Sequence, residues 1–154
     1  MKTIPLSQGF VAFVDDEDYD RVNQFKWCVT INIYGSMYAV RSYRTNGVKR
    51  TCQMHRFIMG KESQIDHINR NGLDNQKQNL RFATTLQNGG NSKKHSNGKT
   101  SRFKGVSFMK RYNKWRTHVS KKYIGWFDSE EDAAMAYNES AKHRWGEFAL
   151  LNQL

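Results

Sequence analysis

Between Gly89 and Ser101 the chain reads Gly-Gly-Asn-Ser-Lys-Lys-His-Ser-Asn-Gly-Lys-Thr-Ser, without one large apolar residue. A segment of this kind has nothing to bury, so it predicts a flexible basic linker and a domain boundary. What lies on either side must build its core from a short length of sequence, and an elaborate multilayer enzyme is excluded. Hydrophobic residues make up 38% of the 154 residues and proline occurs once, which is enough for folded cores and too apolar for a disordered basic tail. No run approaches the ~18 apolar residues of a membrane span. The start, Met1-Lys2-Thr3-Ile4-Pro5, leads into no signal-peptide hydrophobic region. A cytoplasmic chain with no membrane partner is expected. Cys28 and Cys52 lack the paired spacing of a zinc site and read as reduced, packed thiols.

The charge points to the partner. Lys and Arg total 25 against 14 Asp and Glu, a net charge of +11. No acid occurs between Asp74 and Asp128, while thirteen Lys and Arg do, among them Lys104, Lys110, Arg111, Lys114 and Arg116. A solvated structural face mixes signs, and here aromatic and β-branched residues are interleaved with unopposed cations. Phosphate backbone fits that pattern.

Along the chain, residues 3–14 and 24–57 are rich in β-branched and aromatic residues and broken by Gly9, Gly35 and the hairpin pair Asn46-Gly47. Asp15-Asp16-Glu17-Asp18 predicts an N-cap and acidic first turn of a short helix. Met54, Phe57 and Ile58 predict a second helix closed by Gly60, with His55 and Arg56 on its other face. Beyond the linker, strands are expected over 102–110, 114–120 and 122–127, followed by a helix capped by Ser129 and stopped by Gly146. The fold class is α+β, with an N-terminal β-rich region at 1–50, a second module at 51–92, a linker at 93–100 and a C-terminal domain at 101–154.

Gln64-Ile65-Asp66-His67 enters a turn expected at Asn71-Gly72, and a second strand near Leu80–Ala83 runs into a short helix capped by Thr84. This brings Asn88 back over the hairpin, so Asp66, His67 and Asn88 converge. Neighbours on a regular strand point to opposite faces, so Asp66 and His67 predict a strand end or a bulge. Residues 50–92 resemble the HNH nuclease motif in its His-Asn-Asn form, found in homing endonucleases of phages and group I introns. The resemblance implies a ββα-metal core with Asp66 as metal ligand, His67 as general base, Asn79 bracing the loop and the histidine, and Asn88 as second metal ligand. The last motif residue is Asn88 rather than His, and the zinc-binding cysteines of some relatives are absent. One carboxylate and one amide oxygen, completed by phosphate oxygens and water, suit a single Mg2+, or Mn2+, and no small-molecule cofactor is expected. His55, His95 and His143 carry no chemical assignment.

In Lys114–Val119 the strand period separates Lys114, Arg116 and His118 from Trp115, Thr117 and Val119. Ala133, Ala134, Tyr137 and Ala141 give the following helix a small-residue face for close packing. Phe103-Lys104-Gly105-Val106-Ser107, Lys114-Trp115, Ile124-Gly125-Trp126-Phe127 and the run from Asp128 to Asn138, ending at Asn152, resemble the plant APETALA/ethylene-response DNA-binding domain over 101–152. That resemblance implies a three-stranded antiparallel sheet packed on one helix and laid in the major groove of double-stranded DNA. The matching contact positions are Lys104, Ser107, Lys114, Arg116, His118, Tyr123 and Trp126, to which the basic Lys110 and Arg111 are added. The expected function is a site-specific homing endonuclease that nicks DNA as a monomer. The competing expectation is a non-catalytic DNA-binding protein that keeps the nuclease core as scaffold.

Overall fold

In the computed structural model, which describes residues 1–60, 64–94 and 100–154, short strands appear where apolar residues alternate. Strands β1 (Lys2–Pro5) and β2 (Val11–Val14) pair antiparallel with Ile4 opposite Ala12, and both side chains are buried. Helix α1 (Asp16–Asn23) follows, then β3 (Cys28–Ile31), β4 (Met37–Thr45) and β5 (Val48–Gln53) in one antiparallel sheet of that order. The turn between β4 and β5 places Asn46 and Gly47 at positive φ, as the Asn-Gly signal requires. Helix α2 (Met54–Met59) ends at Gly60. Strands β6 (Gln64–His67) and β7 (Leu80–Ala83) then pair antiparallel.

These elements form one unit, Met1–Thr85. Ile4, Val14, Val22, Trp27, Met54, Ile58, Ile65, Leu73 and Leu80 belong to a single apolar cluster. The segments 1–50 and 51–85 therefore share one core. A backbone connection reinforces the join: Phe13 N donates to Leu73 O and Asn75 N donates to Phe13 O, both at 2.8 Å. Asp15 holds the N-cap position of α1 but makes no capping bond there. Its carboxylate instead accepts from Lys77 N at 2.7 Å and from Gln76 Nε2 at 3.3 Å. The acidic start of α1 thus ties down the loop that carries the candidate site.

The second unit, Leu86–Leu154, contains most of α3 (Thr85–Gly90), then β8 (Val106–Met109), β9 (Lys114–Val119), β10 (Lys122–Phe127) and α4 (Glu130–Trp145). The sheet order is β10-β9-β8, all antiparallel. Ser129 Oγ caps α4 by accepting from Asp132 N, and Ala133, Ala134, Tyr137 and Ala141 are buried beneath the sheet. Thr117, wholly buried, donates its hydroxyl to Ala133 O at 2.9 Å. Asn152 secures the tail, exchanging two hydrogen bonds with Asn138 and two with the Lys104 backbone.

The boundary lies earlier in the chain than the Gly-Asn-Ser-Lys run suggested. Gly90 packs against Trp145, where a Cβ would come within 2.7 Å of the indole, and its carbonyl accepts from Leu150 N and from Lys104 Nζ. The missing side chain is what lets the backbone reach the indole, so Gly90 marks close packing rather than slack. Lys94 Nζ likewise donates to Ser101 O and Phe103 O. His95 and the rest of 95–99 lie outside the described residues.

Candidate active site and nucleic-acid interface

Asp66 and His67 close strand β6, paired across an unbroken register with Arg81 and Leu80, and both are buried, at 5% and 6% exposure. Directly across the ladder from Asp66 stands Arg81 on β7. Its Nε and Nη2 both donate to Asp66 Oδ2, at 3.0 and 2.9 Å. The partner is readable from the register of a hairpin, yet sequence reading did not single it out.

The connection from β6 to β7 spans residues 68–79 and contains the turn expected at Asn71-Gly72, closed by Asp74 N donating to Asn71 O at 3.0 Å. A positive φ falls on Arg70, and a turn of 3-10 helix at Lys77–Asn79 precedes β7. Short polar side chains hold this loop against its own backbone. Asn69 Oδ1 accepts from Asn71 N, Asn71 Oδ1 from Leu73 N, and Asn69 Nδ2 donates to Asp74 Oδ2. Asn79 sits at the centre: its Oδ1 accepts from Asn69 N at 3.0 Å, its Nδ2 donates to Asp74 O at 2.8 Å, and its carbonyl accepts from Ile68 N. Asn88 lies on α3, in the second unit.

Around His67 are three groups that sequence reading did not assign to it. Asn75, with no exposed surface, brings Oδ1 within 3.5 Å of His67 Nε2. His55 packs edge-on against the His67 ring at 4.9 Å between centroids, and Tyr38 stands about equally far from both, at 6.1 and 6.0 Å. His55, on the face of α2 away from Met54, Phe57 and Ile58 in the sequence pattern, is a packed histidine at 5% exposure. The signal was its position directly after Met54, at the start of the short helix preceding the hairpin.

Burial pushes the His67 imidazole below its ordinary value, against the opposing pull of Asn75, Asp66 and Asp74. The same desolvation, helped by His67 and Arg56, pushes His55 down to about 3. The unfolded chain takes up a proton near pH 6.5 that folded His55 refuses until about 3, so its contribution to stability is complete above 6.5 and is lost as pH falls through that window. Denaturant midpoints of the first unit should drop between about pH 6.5 and 4, and His55→Phe should flatten that dependence. An equally steep profile in the variant would contradict it.

In the second unit, β9 turns Arg116 and His118 to one face of the sheet and the buried Thr117 and Val119 to the helix. Tyr123 and Trp126, three apart on β10, would lie on opposite faces of a regular strand. A register shift between Tyr123 and Gly125 sets Tyr123 opposite His118 and Trp126 opposite Arg116, so both aromatics share the cationic face. Tyr112, not singled out in the sequence, extends the row, its ring 5.1 Å from Trp126. Ser107 stands across from Arg116, and Lys110 and Arg111 are exposed in the turn between β8 and β9. Two proposed contacts are otherwise engaged. Lys114 pairs with Asp128 at 2.9 Å, and Lys104 sends Nζ to Gly90 O beside the Trp145 ring.

An uncharacterized HNH endonuclease of Acanthamoeba polyphaga mimivirus is 32% identical to this chain over 96% of its length and 77% of the viral protein. The chain belongs to the HNH endonuclease family. No family model matches it, and no solved structure does. Among the described residues no group of three or more His, Cys, Asp or Glu side chains is arranged to hold a metal ion. None of the described helices is long and apolar enough to cross a membrane.

Proposed function

We propose that the protein is a site-specific HNH homing endonuclease that hydrolyses DNA phosphodiester bonds with one divalent cation, nicking one strand as a monomer. The observation that carries this reading is the buried Asp66-His67 pair at the end of β6, above a loop braced by Asn79. Burial keeps His67 neutral near pH 7, ready to take a proton from an attacking water. Asn75 Oδ1, facing Nε2, favours the tautomer protonated there, so Nδ1 is the accepting nitrogen. Arg81 holds the Asp66 carboxylate in place.

The donor set fits a hard cation. By the resemblance, Asp66 would offer a carboxylate and Asn88 a carboxamide oxygen, donors of the kind Mg2+ or Mn2+ accepts alongside phosphate oxygens and water. Such an ion would stabilise charge on the scissile phosphate and the leaving oxygen. The second unit, which resembles the APETALA-type domain, would supply the choice of site through Ser107, Arg116, His118, Tyr123 and Trp126, and phosphate contacts through Lys110 and Arg111.

One observation favours the second reading, a DNA-binding protein without catalysis: Arg81 places a fixed positive charge on the carboxylate that a cation would use. Nicking of supercoiled plasmid in Mg2+, with binding followed separately in EDTA, decides between them. Open circles support the nuclease, and a mobility shift with no cleavage supports the binding protein.

A further inference from the structure

A second stretch without acids lies in the first unit. No Asp or Glu occurs between Asp20 and Glu62, while Arg21, Lys26, Arg41, Arg44, Lys49, Arg50, Arg56 and Lys61 do. Four of these fall on β4 and β5, in the part of the sheet that β3 does not reach. Strand β3 pairs with β4 only as far as Val40, so from Arg41 onward β4 has β5 alone beside it. Residues 44–51 are exposed throughout. This is a projecting two-stranded antiparallel ribbon closed by Asn46-Gly47.

Its charge is arranged on both sides. Arg44 stands opposite Lys49, and Tyr43 stands opposite Arg50, so the two pairs point to opposite faces. Arg41 shares the face of Tyr43 and stacks its guanidinium 3.7 Å over Phe25, which fixes the base of the ribbon to the core. Among the described residues, none of these four cations forms a salt bridge with a carboxylate. Edge strands are commonly protected by a charge such as lysine, but that protection does not call for cations on both faces of both strands.

We infer that the β4-β5 ribbon is a second docking surface for duplex DNA, entering a groove with Arg44 and Lys49 toward one phosphate wall and Arg50 toward the other. The inference rests on DNA being the substrate. The partner follows from charge and shape together: a major groove about 12 Å wide admits a two-stranded β-ribbon, and its two walls present phosphates to both faces at once. A flat anionic surface would meet only one face. The ribbon joins α2 directly through Gln53 and Met54, so DNA held there is held by the same unit that carries Asp66 and His67.

The test uses the full chain, a labelled DNA duplex and EDTA, so that affinity is read without cleavage. Arg44→Gln/Lys49→Gln/Arg50→Gln should lower the steepness of the log-affinity against log-salt line by about 2.7, so that between about 50 and 200 mM salt the wild type loses roughly 40-fold more affinity than the variant. The charge-keeping set Arg44→Lys/Lys49→Arg/Arg50→Lys should bind as wild type, with thermal melts of all three unchanged. A neutralised ribbon with the wild-type slope overturns the inference. So does an equal loss in the charge-keeping set, or a loss confined to an RNA duplex. A wild type that binds DNA and loses affinity on neutralisation, yet never cleaves in Mg2+, removes the nuclease reading and leaves the ribbon standing.

Discussion

Replacing His67 by alanine is expected to slow DNA cleavage by about 10²–10⁴-fold, the usual contribution of a positioned general base. DNA affinity should change little, because the proposed binding groups lie on the β4-β5 ribbon and on the sheet of the second unit. Single-turnover rates at saturating protein separate the two quantities, since binding then drops out of the rate. Burial lowers the His67 pKa, so the acid limb of the wild-type rate should lie below the ordinary imidazole value of about 6.5. A His67→Ala chain that cleaves within threefold of wild type would remove His67 from the chemistry.

The largest structural effect is expected at Gly105. Its φ is +75°, and an added Cβ would fall 2.2 Å from Tyr137 Cδ2 and 2.4 Å from His118 O. Neither obstacle is free to withdraw: Tyr137 is 1% exposed in the middle of α4, and the Gly105 carbonyl accepts from His118 N at 2.9 Å. Left-handed backbone costs an alanine roughly 1–2 kcal/mol and overpacking about 1–3 more. The sum approaches the whole stability of a unit of this size. Gly105→Ala should therefore lower the denaturant midpoint of the second unit sharply and weaken duplex binding with it, read by tryptophan fluorescence and gel shift. A midpoint within experimental scatter of wild type would mean that the packing around Tyr137 gives way easily.

The elements were legible where local chemistry governs them. The Asn46-Gly47 turn, the Ser129 cap, the Gly60 and Gly146 helix ends, and strands β6 to β10 all follow from short-range patterns. What was not legible depends on contacts between distant segments. Asp15 read as a cap, yet its carboxylate reaches residues 76 and 77. Gly90 read as linker because no sequence window reveals that Trp145 and Leu150 are waiting for it. The shared face of Tyr123 and Trp126 depends on a register shift that period-two reasoning cannot foresee.

The same division runs through the candidate site. Asp66 and His67 stood out as a metal-capable and acid/base pair, and Asn79 only through the resemblance to the HNH motif. Arg81, Asn75, His55 and Tyr38 come to them through strand register, loop closure and the packing of α2, none of which a motif records. Arg81 was the most accessible of these, since pairing Leu80–Ala83 against Gln64–His67 already sets it opposite Asp66.

In the proposed function, Asp66 and His67 form the heart of a metal-dependent nuclease. Conversion of supercoiled plasmid to open circles tests it most directly, comparing the wild type with Asp66→Ala at equal DNA occupancy in Mg2+. Open circles from the wild type in Mg2+, none in EDTA and none from Asp66→Ala are the predicted result. A wild-type chain that binds the plasmid and leaves it supercoiled, or an Asp66→Ala chain that nicks at the wild-type rate, would contradict it.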